Sequence, residues 1–186
     1  MAGGSQRSER AKSPTQRLLS LLRPDLHFVY ILGMFLVGSA IPGHPSDDGV
    51  YVSTPLIDAI GLRDDRRINA LLSQGVDVNK TNSEGEAPLA IAAMAGNTAL
   101  MKELLRRGAD IDHRALNGET ALMEAAYVGE ASTALLLARG ANPCMKNKQG
   151  QTALELAEWS ERANHQRDAA VILRAWFRRH STKCTK

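Results

Sequence analysis

From residue 53 onward, short apolar runs with helical spacing alternate with polar, glycine-bearing stretches, and they do so at a fixed interval. The runs begin STPLIDAI at 53, APLAIAAMAG at 87, TALMEAAYVG at 120 and TALELA at 152. Leu56, Leu89, Leu122 and Leu154 follow one another by 33, 33 and 32 residues. Gly75, Gly108 and Gly140 close LLSQG, LLRRG and LLARG at intervals of 33 and 32, and Gly85, Gly118 and Gly150 keep the same step. Three landmark series in phase identify a repeated unit, which decides the architecture before any other feature does.

Each landmark has a local physical role. Thr54, Thr120 and Thr152 precede the apolar runs, where a hydroxyl caps free backbone N–H groups. Pro55 and Pro88 stand at a first helical position, where the missing N–H costs little. Ala92, Ala93, Ala125 and Ala126 let helices approach closely, and Gly96 suits a turn between two short helices. The pairs Leu71–Leu72, Leu104–Leu105 and Leu136–Leu137 give a second helix its buried side. Polar stretches such as VDVNKTNSEG and ADIDHRALNG then form projecting hairpins. A helix–turn–helix–hairpin unit cannot bury its own apolar face, so it must stack on its copies.

With these motifs, residues 50–178 resemble the ankyrin repeat family. The resemblance implies an all-α solenoid of about four helix–turn–helix units with short β-hairpin connections. The units run approximately over 53–84, 85–117, 118–149 and 150–178. The departures are specific. Ala87 replaces a capping threonine, and Ala121 and Ala153 replace the helix-starting proline. Where the family has a histidine after the motif leucine, this chain has Ile57, Ala90, Met123 and Glu155. The third unit is one residue short after Gly129 and puts Ser132 and Thr133 where branched apolar residues belong, so its second helix is expected to be the weakest. The fourth unit carries extra residues around SERANHQ and is expected to act as the C-terminal cap.

The first fifty residues differ in composition. Five basic residues, from Arg7 to Arg23, precede the uncharged apolar run FVYILGMFLVGSAIPG at 28–43, which ends with small residues at Gly38 and Ala40. A basic start, an apolar core and a small-residue exit describe a secretory signal over residues 1–40. The long basic leader also suits a retained anchor, although a 16-residue run with Gly33, Gly38 and Pro42 is short for a membrane span. Residues 41–49 then read as a linker. Export makes the repeats periplasmic or secreted. Retention leaves them anchored to the inner membrane on its outer side, with membrane contact only in that case.

Charge changes the picture once the chain is divided. Residues 46–161 carry eleven basic and seventeen acidic side chains, whereas residues 162–186 carry seven and one. An acidic body argues against nucleic acid as a partner. Arg174, Arg178 and Arg179 suit the end of a last helix, and residues 179–186 form a basic tail. Of the two cysteines, Cys144 falls at the start of the last hairpin and Cys184 in the tail, so a disulfide between them is geometrically open beside the plainer reading of two unpaired thiols. The DIDH stretch, Asp110 to His113, looks like a ligand cluster but occupies hairpin positions, and Asn79-Lys80-Thr81 is a formal sequon on a hairpin. No nucleophile–base pairing, phosphate loop or metal-ligand spacing is present, so neither catalysis nor a cofactor is expected.

In the family the hairpins and first helices line a concave surface where protein partners bind. By phase, Leu62, Met94, Tyr127 and Trp159 should form a ridge, with Val128 beside it. Aromatic residues are only 4% of the chain, and aromatic and Met side chains are enriched in interface cores. The competing reading lays these side chains flat between helices. Hairpin residues, including Arg114, Leu116 and Glu119, should form the rim. Leu116 at a hairpin tip favours binding over solubility. The expectation is therefore a non-catalytic module, monomeric, that binds a protein outside the cytoplasm as an adaptor or a protective or inhibitory partner. The alternatives are a membrane-anchored scaffold and an immunity protein that neutralises a toxin.

Overall fold

The computed structural model describes residues 52–164 and 168–180. The N-terminal apolar run, residues 1–49 and Cys184 all lie outside these residues. Eight helices are described: α1 Pro55–Gly61, α2 Asp65–Ser73, α3 Pro88–Met94, α4 Thr98–Arg106, α5 Ala121–Val128, α6 Glu130–Ala138, α7 Ala153–Asn164 and α8 Asp168–His180. They alternate between two layers. In the first layer α1 packs on α3, α3 on α5 and α5 on α7; in the second, α4 meets α6 and α6 meets α8.

The capping pattern follows the sequence closely. Thr54 Oγ1 accepts from the Ile57 N–H at 3.2 Å, and Thr120 Oγ1 accepts from Met123 at 3.4 Å. Thr152 and Glu155 cap each other, because Glu155 Oε2 accepts from the Thr152 N–H at 2.7 Å while Thr152 Oγ1 accepts from the Glu155 N–H at 3.4 Å. The residue that departs from the family histidine thus completes a capping box. The bond from the Thr152 N–H, and after it one donated by the Thr152 hydroxyl to the same carboxylate oxygen at 2.9 Å, hold the Glu155 carboxyl below the usual range. Ala87 gives α3 no such bond, and Pro88 at its first position offsets part of that loss.

Stability comes mainly from the interface between layers. Leu89, Leu122, Leu104 and Leu136 are buried to 1% exposure or less. At roughly 1.5–3 kcal/mol for each fully buried leucine, packing outweighs a cap of about 1 kcal/mol. Ala92, Ala93, Ala125 and Ala126 are likewise buried and let the first-layer helices lie close.

The connections are hairpin-like turns, and none of the described residues is a β-strand. Each turn is closed by a backbone bond: Asn82 N–H to Glu86 O, Ala115 to Glu119 and Asn147 to Gln151, at 2.9–3.1 Å. Successive turns are stitched by one more, Ser83 N–H to Val52 O, Leu116 to Glu84 and Lys148 to Asn117, at 2.8–2.9 Å. Gly85 is needed where it stands. A Cβ there would lie 3.1 Å from Leu116 N, and its φ is +73°. Further down the hairpins, Asn79 donates to Gly108 O at 3.0 Å and accepts from the Asp110 N–H at 2.8 Å, and Asp112 accepts from the Asn142 N–H at 2.9 Å. His113 Nε2 bonds Gly85 O at 2.8 Å. The DIDH stretch and the sequon asparagine therefore hold neighbouring hairpins in register.

The third unit departs from its neighbours, and Ser132 and Thr133 are both buried there. Thr133 Oγ1 lies 3.1 Å from Ala125 O and 2.9 Å from Gly129 O, so a hydroxyl ties α6 to the end of α5. In the fourth unit α7 is longer than the other first-layer helices, and Arg174 of α8 holds it through Glu158 and Glu161 at 2.9 and 3.3 Å.

Candidate functional site

The first-layer helices present Met94 on α3, Tyr127 and Val128 on α5 and Trp159 on α7, while Leu62 follows α1 in its turn. Leu62 is 71% exposed, whereas Met94, Tyr127, Val128 and Trp159 are half-buried. Met94 and Tyr127 rest on the core. The rings of Tyr127 and Trp159 meet edge to face, with centroids 6.4 Å apart and planes at 81°. Such a pair is worth roughly 0.5–1.5 kcal/mol beyond its buried area, so each ring fixes the other. These side chains brace the stack and also keep part of their surface in solvent. Val128 packs on the preceding turn, since a Cβ at Gly96 would meet its Cγ1 at 3.4 Å. Between the first two turns lies a depression of about 270 Å³ lined by Ile60, Arg63, Asp65, Ala95, Gly96 and Asn97. Arg63, with a left-handed φ of 53°, stands one repeat before Gly96 and donates to Ala95 O at 3.4 Å.

The rim is sorted differently from the sequence expectation. Leu116 is 63% exposed at its hairpin tip, and Arg114 is exposed but donates to Lys146 O at 2.7 Å, joining the second hairpin to the third. Glu119 is a correction: it is buried, not on the rim. Its carboxylate accepts from Asn117 Nδ2 at 2.8 Å, and Asn147 of the next hairpin approaches its other oxygen at 3.5 Å. A hairpin in the middle of a stack is covered by its successor, which draws this residue inward.

Glu124 was not singled out at all. It occupies the α5 position that holds Ile91 in the second unit and Leu156 in the fourth, and it is buried. Burial pushes its carboxyl well above the usual range, and the charges of Glu119 and Glu86 and a hydrogen bond with Glu119 push the same way. One turn later on α5, burial first, and then the charges of Glu119 and Glu124, raise the Tyr127 hydroxyl as well. The aromatic ridge therefore stands over a buried acidic floor. The signal for it was the 33- and 32-residue register with Ile91 and Leu156.

At the C-terminal side, Cys144 is half-buried and is not a free thiol, which corrects the reading of an unpaired thiol at this position. Its N–H donates to Asn142 Oδ1 at 3.0 Å. The other reading, a bond to Cys184, involves a residue outside those described. Among the described residues, no group of three His, Cys, Asp or Glu side chains is placed to hold a metal ion, and no helix is long and apolar enough to cross a membrane.

Comparison with known proteins points one way. The family model "Ankyrin repeats (3 copies)" matches residues 56–147 and 89–174. The chain is similar to an ankyrin repeat-containing protein of Treponema pallidum, 32% identical over 117 residues, or 62% of this chain and 38% of the relative. It is similar to human transient receptor potential cation channel subfamily A member 1, 35% identical over 119 residues, covering 63% of this chain and 10% of the channel. It is also similar to mouse ankyrin repeat and SAM domain-containing protein 6, 38% identical over 81 residues, 42% of this chain and 9% of that protein. The chain thus spans well under half the length of these relatives.

Proposed function

We propose that this chain, which belongs to the ankyrin repeat family, binds a protein partner through the face shared by its hairpins and first-layer helices. Ankyrin repeats are protein-interaction modules and generally non-catalytic. The observation that carries the placement is the Tyr127–Trp159 pair, locked edge to face and half-exposed in a chain with 4% aromatic residues. Rigid aromatic side chains lose little freedom on binding and recur as interface hot spots. Met94 and Leu62 continue the apolar row, and Leu116 adds an exposed apolar tip.

The compartment we propose is outside the cytoplasm, supported by the basic leader and apolar run ahead of the repeats. There the module acts as an adaptor or as a protective or inhibitory partner. The length of the basic leader favours the second reading, a scaffold anchored in the membrane. Intact mass and fractionation of the native protein separate these: a soluble species beginning at Ile41 supports export, and a membrane-bound species retaining the leader supports the anchor. For the surface, a photo-crosslinking phenylalanine derivative at position 127 should capture one defined protein, while the same group at Val171, exposed on α8, should not. Equal capture from both positions would overturn the placement.

A further inference from the structure

Charge divides the chain sharply at its last helix. Residues 46–161 carry eleven basic and seventeen acidic side chains, and residues 162–186 carry seven and one, so an excess of six negative charges faces an excess of six positive ones. Such a molecule gains little from its net charge but is strongly polarised: an anionic surface repels its body and attracts its C-terminal end. The three arginines of α8 differ in their use. Arg174 is held by Glu158 and Glu161 of α7. Arg178 and Arg179 are exposed, and neither forms an ion pair among the described residues. A helix C-terminus favours basic side chains, yet the last turns of α2 and α6 have none, and that of α4 has only Arg106, paired with Glu103 at 2.7 Å. The dipole alone does not account for the pair on α8.

Apolar side chains share the surface of these arginines. Val171, Ala175 and Arg178 fall on one helix face, four and three residues apart, with Ile172 and Arg179 beside them. Helix α6 covers α4 and α8 covers α6, whereas the outer face of α8 stays in solvent, with Val171 51% exposed. Beneath it Trp176 packs on the core, meets Phe177 edge to face at 5.4 Å and stacks on His180 at 4.3 Å, which braces the turn that carries the arginines. We infer that this outer face of α8 docks on an anionic membrane surface, with Arg178 and Arg179 on lipid phosphates and Val171, Ile172 and Ala175 at the headgroup boundary. One exposed helix face that is apolar along one half and basic along the other matches a surface that sets phosphates over hydrocarbon. A membrane also meets the protein from one side only, which suits a positive charge confined to one end. The contact is separate from the partner face on the first-layer helices, and it holds whether residues 1–40 are kept or removed.

The test is amide exchange of the full chain alone, with phosphatidylcholine vesicles, and with vesicles of equal parts phosphatidylcholine and phosphatidylglycerol. On the anionic vesicles at low salt, exchange over residues 171–180 should slow at least about fivefold, the effect of one basic side chain at such a surface. Phosphatidylcholine alone should leave it unchanged, and high salt should reverse the slowing. Arg178→Gln with Arg179→Gln changes two exposed side chains, so this variant should fold as the wild type does and lose the slowing. Because exchange is read on α8 itself, insertion of the apolar run at 28–43 does not imitate the result. Equal slowing on both kinds of vesicle, no slowing on either, or slowing that survives the double substitution would overturn the proposal. Slowing by polyglutamate but not by the anionic vesicles would also overturn it, and would mark the face as one for an acidic protein.

Discussion

The turn between the helices of the second unit takes three residues, Ala95, Gly96 and Asn97, while that of the third takes only Gly129. In the second unit Asn97 Oδ1 caps α4 through the Leu100 N–H at 3.0 Å, and the inward positions Leu100 and Met101 are apolar. In the third, Gly129 adopts φ 141°, ψ −165°, α6 has no side-chain cap, and the matching inward positions are Ser132 and Thr133. The same problem, joining two short helices at a close angle, is met once by a capped turn over an apolar core and once by a hydroxyl bridge. Deleting a residue removes the place for a cap, and the polar side chain that looks misplaced restores the missing hydrogen bonds. A polar residue at a core position should therefore be read together with the length of the turn before it.

The comparison can be broken from either side. The largest effect should come from the core that both units share. Leu122→Ala should cost about 2–5 kcal/mol, read by urea unfolding, since Leu122 is 1% exposed. A loss under about 1 kcal/mol would mean that the layers repack freely. Next, Gly129→Ala should cost about 1–3 kcal/mol, because its φ of 141° with ψ −165° is accessible essentially to glycine alone. Thr133→Val keeps the shape and removes the bridge, so it should destabilise by about 1–2 kcal/mol. If the valine instead stabilises, apolar packing governs the third unit as it does the second. The smallest change is Asn97→Ala, expected to cost about 1 kcal/mol through the lost cap on α4.

Much of the fold was legible because repetition multiplies weak signals. Thr54, Thr120 and Thr152 cap as their positions imply, and Pro55 and Pro88 open helices. The site was legible in part. Phase placed Met94, Tyr127 and Trp159 on successive first-layer helices but could not show that the two rings would lock together, which depends on side-chain angles. Glu119 misled because a charged hairpin residue is ordinarily solvated, and only the stacking of the next hairpin encloses it. Glu124 escaped notice for the converse reason: its neighbours in register, Ile91 and Leu156, mark a buried position, but a glutamate on a helix is usually read as surface. The role of Thr133 rests on a turn whose geometry follows from one deleted residue, and no propensity carries that information.

The central claim is that the aromatic ridge binds protein. It is tested most directly by measuring the affinity of the protein captured at position 127 for the wild-type chain, for Tyr127→Ala with Trp159→Ala, and for Val171→Ser. Two hot-spot side chains at about 2 kcal/mol or more each predict a loss of at least roughly a hundredfold for the double variant. Val171→Ser should bind as the wild type does, and the double variant should keep the helical circular dichroism of the native stack. Unchanged affinity in a folded double variant would contradict the account and move the binding face elsewhere on the solenoid.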